Sequence, residues 1–197
     1  MSPRYFNLPA VSLLPQSTFS PRIRSAPVVR LESPATMVVT DFSTVTPITI
    51  TPQAPIDMAL RKMKTAGVRL LFVVNDIEEI IGLITITDIM GERPIKVTQQ
   101  TRLPRTTLTV ASIMTPQSDI QVFDAARIES AVVGDIVETL RTLGRQHALL
   151  ARIDRDRGAH QVIGMFSTSQ ISKLLGEDVT QIVSPAASLS EIVEKIG

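Results

Sequence analysis

The stretch that most constrains this chain runs from Gly67 to Ile89. Leu70, Leu71, Phe72, Val73 and Val74 are apolar at every position, and a strand of that composition needs cover on both faces. A short polar connection at 75–79 joins it to a second strand at 80–86, which runs into the polar group Thr85, Thr87 and Asp88. Hydroxyls and a carboxylate at the end of a covered strand, just before a helix, lie where open α/β sheets bind ligands.

The pattern recurs. Gly144, Arg145, Gln146 and His147 lead into the apolar run at 148–151, then through a charged hairpin tip at 154–158 to Gly164 and the segment 165–171. Aligned on Gly82 and Gly164, Thr85 matches Ser167, Thr87 matches Ser169, and Asp88 matches Gln170. This spacing is longer than that of solenoid repeats, so the chain reads as two copies of one supersecondary unit.

Each copy brings a helix. In the first, a strand at 47–50 precedes a helix that starts near Pro55, where proline suits the first turn. Ile56, Ala59, Leu60 and Met63 make its buried stripe and Gly67 stops it. In the second, 110–116 is a helical turn and 120–123 a strand, with an insertion expected within 117–129. A stripe of Val133, Ile136, Val137, Leu140 and Leu143 then ends at Gly144. One such unit is too small to cover its own sheet, so the two should pack sheet against sheet. The fold class is therefore α/β (α+β), with two β-α-β-β-α units as a pseudo-twofold pair. The expected divisions are a proline-rich extended arm at 1–36, unit one at 37–98, a linker at 99–109, unit two at 110–176 and an extension at 177–197. That extension reads as a strand at 179–183 and a helix at 190–196. The basic stretch 92–108, with Arg93, Lys96, Arg102 and Arg105, reads as solvated connection.

Composition excludes several function classes. The chain is 44% hydrophobic but only 4% aromatic and has no Trp, so Val, Ile, Leu and Met must fill the core. Met58, Met63, Met90, Met114 and Met165 all fall within core patterns. A net charge of +1 argues against general attraction to nucleic acid or membranes. The absence of Cys excludes disulfides and thiolate metal sites, and His147 and His160 alone do not make a zinc site. The chain has no bilayer-length apolar run and no secretion-type N-terminus, so a cytoplasmic location is expected. It lacks a nucleophile–base motif, a glycine-rich phosphate loop and a metal cluster, which predicts that it is not an enzyme.

The ordered set of motifs resembles a cystathionine-β-synthase (CBS) domain. That set comprises the strand at Ile48, Thr49 and Ile50, the amphipathic helix, the Gly67–Asn75 segment and the Gly82–Ile89 segment. The second copy, with 110–115 at its entrance, resembles the partner domain of a tandem pair, a Bateman module, and the likeness spans roughly residues 37–176. The resemblance implies a regulatory module that needs no resident cofactor, forms a homodimer and binds AMP, ADP, ATP or S-adenosylmethionine between paired domains. Its regulated partner is not named by the sequence.

Carried onto this chain, the resemblance assigns ribose and phosphate contacts to Thr85, Thr87 and Asp88, and a phosphate contact to Arg69. Backbone around Ile48, Thr49, Ile50, Leu71 and Phe72 would face the adenine. A second, weaker site would use Arg145, His147, Ser167, Ser169 and Gln170, with Gln170 lacking the charge that strengthens such contacts. From the residues alone, Thr87 and Asp88 read first as a helix cap and His147 first as a satisfied core histidine, while Arg69 reads equally as a surface ion-pair partner. A ligand-free dimerisation and protein-interaction scaffold is the alternative function, favoured by Gln170.

Overall fold

A computed structural model describes residues 28–154, 156 and 159–180, with Pro15 the one described residue before them. A 3-10 turn at Ala35–Met37 and a two-residue strand, β1 (Thr40–Asp41), precede the first repeat. That repeat contains β2 (Thr49–Ile50), α1 (Ile56–Ala66), β3 (Leu70–Val74), β4 (Ile80–Thr85) and the short α2 (Ile86–Met90). Next come α3 (Arg93–Thr101), a 3-10 turn at Arg105–Thr107, α4 (Val110–Ile113) and β5 (Thr115–Pro116). A third 3-10 turn spans Gln117–Asp119. The second repeat contains β6 (Val122–Asp124), α5 (Ala125–Ile128), α6 (Val133–Leu143), β7 (His147–Asp154), β8 (Ala159–Ser167) and α7 (Thr168–Leu175). None of the described helices is long and apolar enough to cross a membrane.

The expected helical stripes are the ones that pack. Ile56, Ala59 and Met63 on α1, and Val133, Ile136, Val137 and Leu140 on α6, are all buried. Leu143, expected on the second stripe, is instead 41% exposed. Met58 and Met90 are likewise exposed, on the outer faces of α1 and α2, while Met63 is buried. The insertion in unit two is the extra helical turn α5, capped by Asp124, whose Oδ1 accepts from Ala126 N at 3.0 Å. The basic stretch is ordered rather than a simple connection. Residues 93–101 form α3, because Pro94 lies in the first turn, where no helical N–H is lost, and Pro94 itself is buried. The expected strand at 179–183 lies outside the described residues except for Val179, which is buried, and Thr180. The helix at 190–196 and the arm before residue 28, Pro15 apart, also lie outside them.

Two four-stranded sheets form, in the orders β2-β3-β4-β5 and β1-β8-β7-β6. Each therefore ends in a strand contributed by the entrance segment of the other repeat. β1 pairs antiparallel with β8 (Thr40 with Met165), and β5 pairs antiparallel with β4 (Leu83 with Thr115). The crossings are matched bond for bond. Ala35 N donates to Ala131 O at 2.9 Å and Val133 N to Ser33 O at 2.9 Å. In the counterpart, Val110 N donates to Ala54 O at 2.8 Å and Ile56 N to Leu108 O at 3.1 Å. Leu108, Val110 and Ile113 fill the core of unit one, whereas Val29, Ala35 and Val38 fill that of unit two. Each buried Val, Leu or Ile among them contributes about 1.5–3 kcal/mol. Residues 28–42 thus belong structurally to the second unit and residues 108–116 to the first. A reading of the chain in sequential blocks does not capture this exchange.

The crossings also explain the glycines that mark the repeat. A Cβ on Gly82 would sit 2.8 Å from Thr115 O, and one on Gly164 2.8 Å from Thr40 O. Only a residue without a side chain admits the crossing strand so closely. Between the sheets, Leu70 and Phe72 of β3 meet Leu149 of β7, flanked by Leu83, Val122 and Met165. Phe42 packs edge-on against Phe72, with ring centroids 5.6 Å apart. This layer is the sheet-to-sheet contact that the apolar strands required.

Candidate functional site

At five residues, α2 is too short to sustain itself, and its first turn is fixed by a reciprocal cap. Asp88 N donates to Thr85 Oγ1 at 3.2 Å. In return, Asp88 Oδ2 accepts from Thr85 N at 2.8 Å and from Thr85 Oγ1 at 2.7 Å. The other carboxylate oxygen, Oδ1, pairs with Arg93 Nη1 at 3.0 Å. That same nitrogen donates to Ile113 O at 2.9 Å and Thr115 Oγ1 at 3.1 Å. Arg93, at the start of α3, therefore ties the first turn of α2 to the crossing segment that completes the sheet. Thr87 is exposed and makes no side-chain hydrogen bond among the described residues, leaving its hydroxyl available.

A cleft of about 490 Å³ opens over this cap, and both units line it. This volume lies within the range of small-molecule sites. Unit one supplies Thr85, Thr87, Asp88 and Arg93, with Thr115 from the crossing strand. Unit two supplies Arg145, Gln146 and His147 from the start of β7, and Asp119, Ile120 and Gln121 from the approach to β6. Leu70, Leu83 and Leu149 form an apolar part of the wall. Burial, and then the charge of Arg69, pushes His147 down to about 4, so its imidazole is neutral at pH 7. Arg145 is exposed and forms no ion pair among the described residues. Gln146 O accepts from Thr168 N at 3.0 Å, linking the cleft wall to the start of α7.

The grouping of these residues differs from the sequence expectation. Thr85, Thr87 and Asp88 come together as expected, but the cations that share the cleft with them are Arg93 and Arg145, not Arg69. Arg69 is exposed, lies outside the cleft lining and acts on His147 through its charge. Ile48, Thr49, Ile50, Leu71 and Phe72 also lie outside the lining. The strand alternation explains this: Leu71 points into the helix-side core and Phe72 into the layer between the sheets. The Phe72 N–H is already bonded to Ile48 O at 3.0 Å, and Ile50 is buried. Arg145 and His147, expected in a separate second site, instead share the cleft of Asp88. Sequence reasoning passed over Arg93, Thr115, Asp119, Gln121 and Gln146. Of these, only Arg93 left a signal, as an arginine shortly after the acidic residue.

The remaining members of the expected second site gather at the start of α7. Ser167 is buried and its Oγ accepts from Gln170 N at 3.2 Å, with Ser169 Oγ 3.4 Å away. Ser169 is exposed and Gln170 half-buried. This is a helix cap without a charged member.

The sequence of residues 39–94 matches the family model of the CBS domain. No curated protein sequence matches the chain. Among solved structures, an uncharacterized conserved protein from Pyrococcus horikoshii superposes with a TM-score of 0.52 at 20% identity, covering 74% of this chain and 93% of that one. That likeness concerns the fold. Looser superpositions include CBSX2, a CBS-pair protein of Arabidopsis thaliana, in complex with AMP (TM-score 0.49, 16% identity, 72% of this chain and 94% of that one). Another is the CBS domain pair of protein MJ0100 in complex with 5′-methylthioadenosine and S-adenosyl-L-methionine (TM-score 0.47, 18% identity, 73% and 100%).

Proposed function

We propose that the chain, whose residues 39–94 match the CBS-domain model, is a tandem CBS pair and a regulatory module whose Asp88 cleft binds an adenine nucleotide or related adenosine ligand. The observation that carries this reading is the composition of the cleft wall. Thr87 and Asp88 come from one unit and Arg145 and His147 from the other, so a bound ligand touches both. A carboxylate accepts from ribose hydroxyls, and hydroxyl and guanidinium groups donate to phosphate oxygens. A ligand that bridges the units favours whichever relative arrangement gives it the most contacts, and occupancy thereby becomes a shift in conformation. The module works without a resident cofactor and without catalysis, and it acts as a homodimer. Exposed Met58 and Met90, on neighbouring helices of unit one, are apolar groups available to a second copy.

One observation favours a ligand-free interaction scaffold instead. Both oxygens of Asp88 are already engaged, by Thr85 and by Arg93. Thermal melts with AMP, ADP, ATP and S-adenosylmethionine separate the two readings. A ligand at 100 times its Kd should stabilise the wild type by about 2.7 kcal/mol. The rise in Tm should vanish in Thr87→Ala combined with Asp88→Asn. No rise with any of the four would leave the scaffold as the function.

A further inference from the structure

The helical faces of the two units carry opposite charge. α1 and α6 are both 11 residues long and both end at a glycine in the left-handed conformation, Gly67 and Gly144, so their positions correspond one to one. Where α1 has Met58, Arg61 and Lys62, α6 has Asp135, Glu138 and Thr139. Met58, Arg61 and Lys62 are exposed, and so are Asp135 and Glu138. On the helical side of unit one every carboxylate is already paired: Asp57 with Arg105, Asp88 with Arg93, and Glu92 with Lys96. Arg61, Lys62, Lys64 and Arg102 remain, exposed and without an ion-pair partner among the described residues. Unit two shows the reverse. Over residues 125–143 and 168–178, Glu129, Asp135, Glu138, Glu177 and Asp178 outnumber the cations Arg127, Arg141 and Lys173. Of these carboxylates only Glu138 has an ion pair among the described residues, with Arg141. Exposed apolar side chains stand on both faces, Met58 and Met90 in unit one and Leu143 at the end of α6.

We propose that a second copy of this chain docks head to tail, with the basic helical face of unit one on the acidic helical face of unit two. This step rests on the homodimer reading above and gives the dimer its orientation. Like-on-like pairing of the units would hold Arg61 and Lys62 against their own copies and Glu138 against its own. Like charges brought together in this way oppose association, whereas opposite ones steer it and fix the register. The head-to-tail contact sets cations against carboxylates, and Met58 and Leu143 lie on its two sides. Each copy owns one face of each kind, so a closed twofold dimer forms the same contact twice.

The chain has no cysteine, so a single introduced thiol reports its neighbour without background. The test is crosslinking of the full chain by a short bismaleimide in Arg61→Cys, in Glu138→Cys and in the two mixed. The mixture should give a crosslinked dimer and neither variant alone should do so. Sedimentation equilibrium supplies a second arm. Arg61→Glu with Lys62→Glu should weaken dimerisation by about tenfold. Adding Glu138→Lys and Glu177→Lys in the same chain should restore it, and salt should weaken the wild-type dimer. Should the charge swaps fail to fold, the cysteine pair decides. Crosslinking of Arg61→Cys with itself, or a wild-type dimer that tightens with salt, would overturn the proposal and leave the homodimer reading standing. A wild-type chain that stays monomeric at high concentration would overturn both, and would leave the basic face of unit one to an acidic partner of another kind.

Discussion

The two units place a hydroxyl cap at the same point of the same fold and then diverge in how they complete it. In unit one, Thr85 and Asp88 cap α2 reciprocally, and the carboxylate is paired with Arg93 five residues further on. In unit two, Ser167 caps α7 but Gln170 replaces the carboxylate, and five residues beyond it stands Leu175, packed against the core. Acid and base are exchanged together for a neutral amide and an aliphatic side chain. The stability of the two helices reflects this. The five-residue α2 leans on its cap, whereas the eight-residue α7 buries Thr168 and Ile171 and needs the cap less. The charged pair stands where the shorter helix depends on its cap, and in unit one that pair also lines the cleft.

A second contrast lies at the strand starts. His147 pairs with Ser167 as Leu70 pairs with Thr85, so a neutral imidazole in unit two occupies the place of a leucine in unit one. Replacing His147 with Leu erases this difference and has the largest expected effect. His147 holds its proton only below about 4 in the folded chain, against an ordinary value of 6.5. The unfolded chain therefore takes up a proton first as pH falls, and stability drops between pH 6.5 and pH 4 by on the order of 3 kcal/mol. Chemical denaturation as a function of pH should show that drop in wild type and lose it in His147→Leu.

The caps come next. Asp88→Ala removes two hydrogen bonds and the partner of Arg93, and should cost about 1–3 kcal/mol. Gln170→Ala leaves the cap intact, since only the Gln170 backbone N–H takes part in it, and should cost less than about 0.5 kcal/mol. Equal losses in urea melts of the two variants would dissolve the contrast between the caps. Gln170→Asp should act in the opposite direction, since it supplies the missing carboxylate at a helix N-terminus. A gain of about 0.3–1 kcal/mol at low salt, shrinking as salt is added, would show that unit two retains the geometry for a reciprocal cap.

The repeat was legible because it is carried by local patterns. The all-apolar strand at 70–74, the stripes on α1 and α6 and the glycines at 67 and 144 each announce an element within a few residues of sequence. The exchange of entrance segments was not legible. β1 and β5 are two residues long, too short for any periodicity, and their partners lie far along the chain. The same reason hid half of the cleft. Thr85, Thr87 and Asp88 stand in one motif, but Arg145 and His147 reach them only through the packing of one sheet on the other. Arg93 was concealed by its basic neighbours, since Lys96, Arg102 and Arg105 make the stretch look like an ordinary solvated surface. Its pairing with Asp88 appears only once Pro94 is seen opening a helix.

The reciprocal crossing of 28–42 and 108–116 has a consequence for how the chain is made. As it emerges during synthesis, unit one lacks an edge strand and three core side chains until residue 116 has appeared. Residues 28–42, synthesised first, have no sheet to join until β8 has followed. Neither half can mature before the other has begun, so the early segment must wait exposed, in the state where chains are most open to mispairing and aggregation. A cut in the 102–107 connection separates two pieces that each carry a part of the other. Such pieces are companions that should regain their structure when mixed, and neither is a domain in its own right.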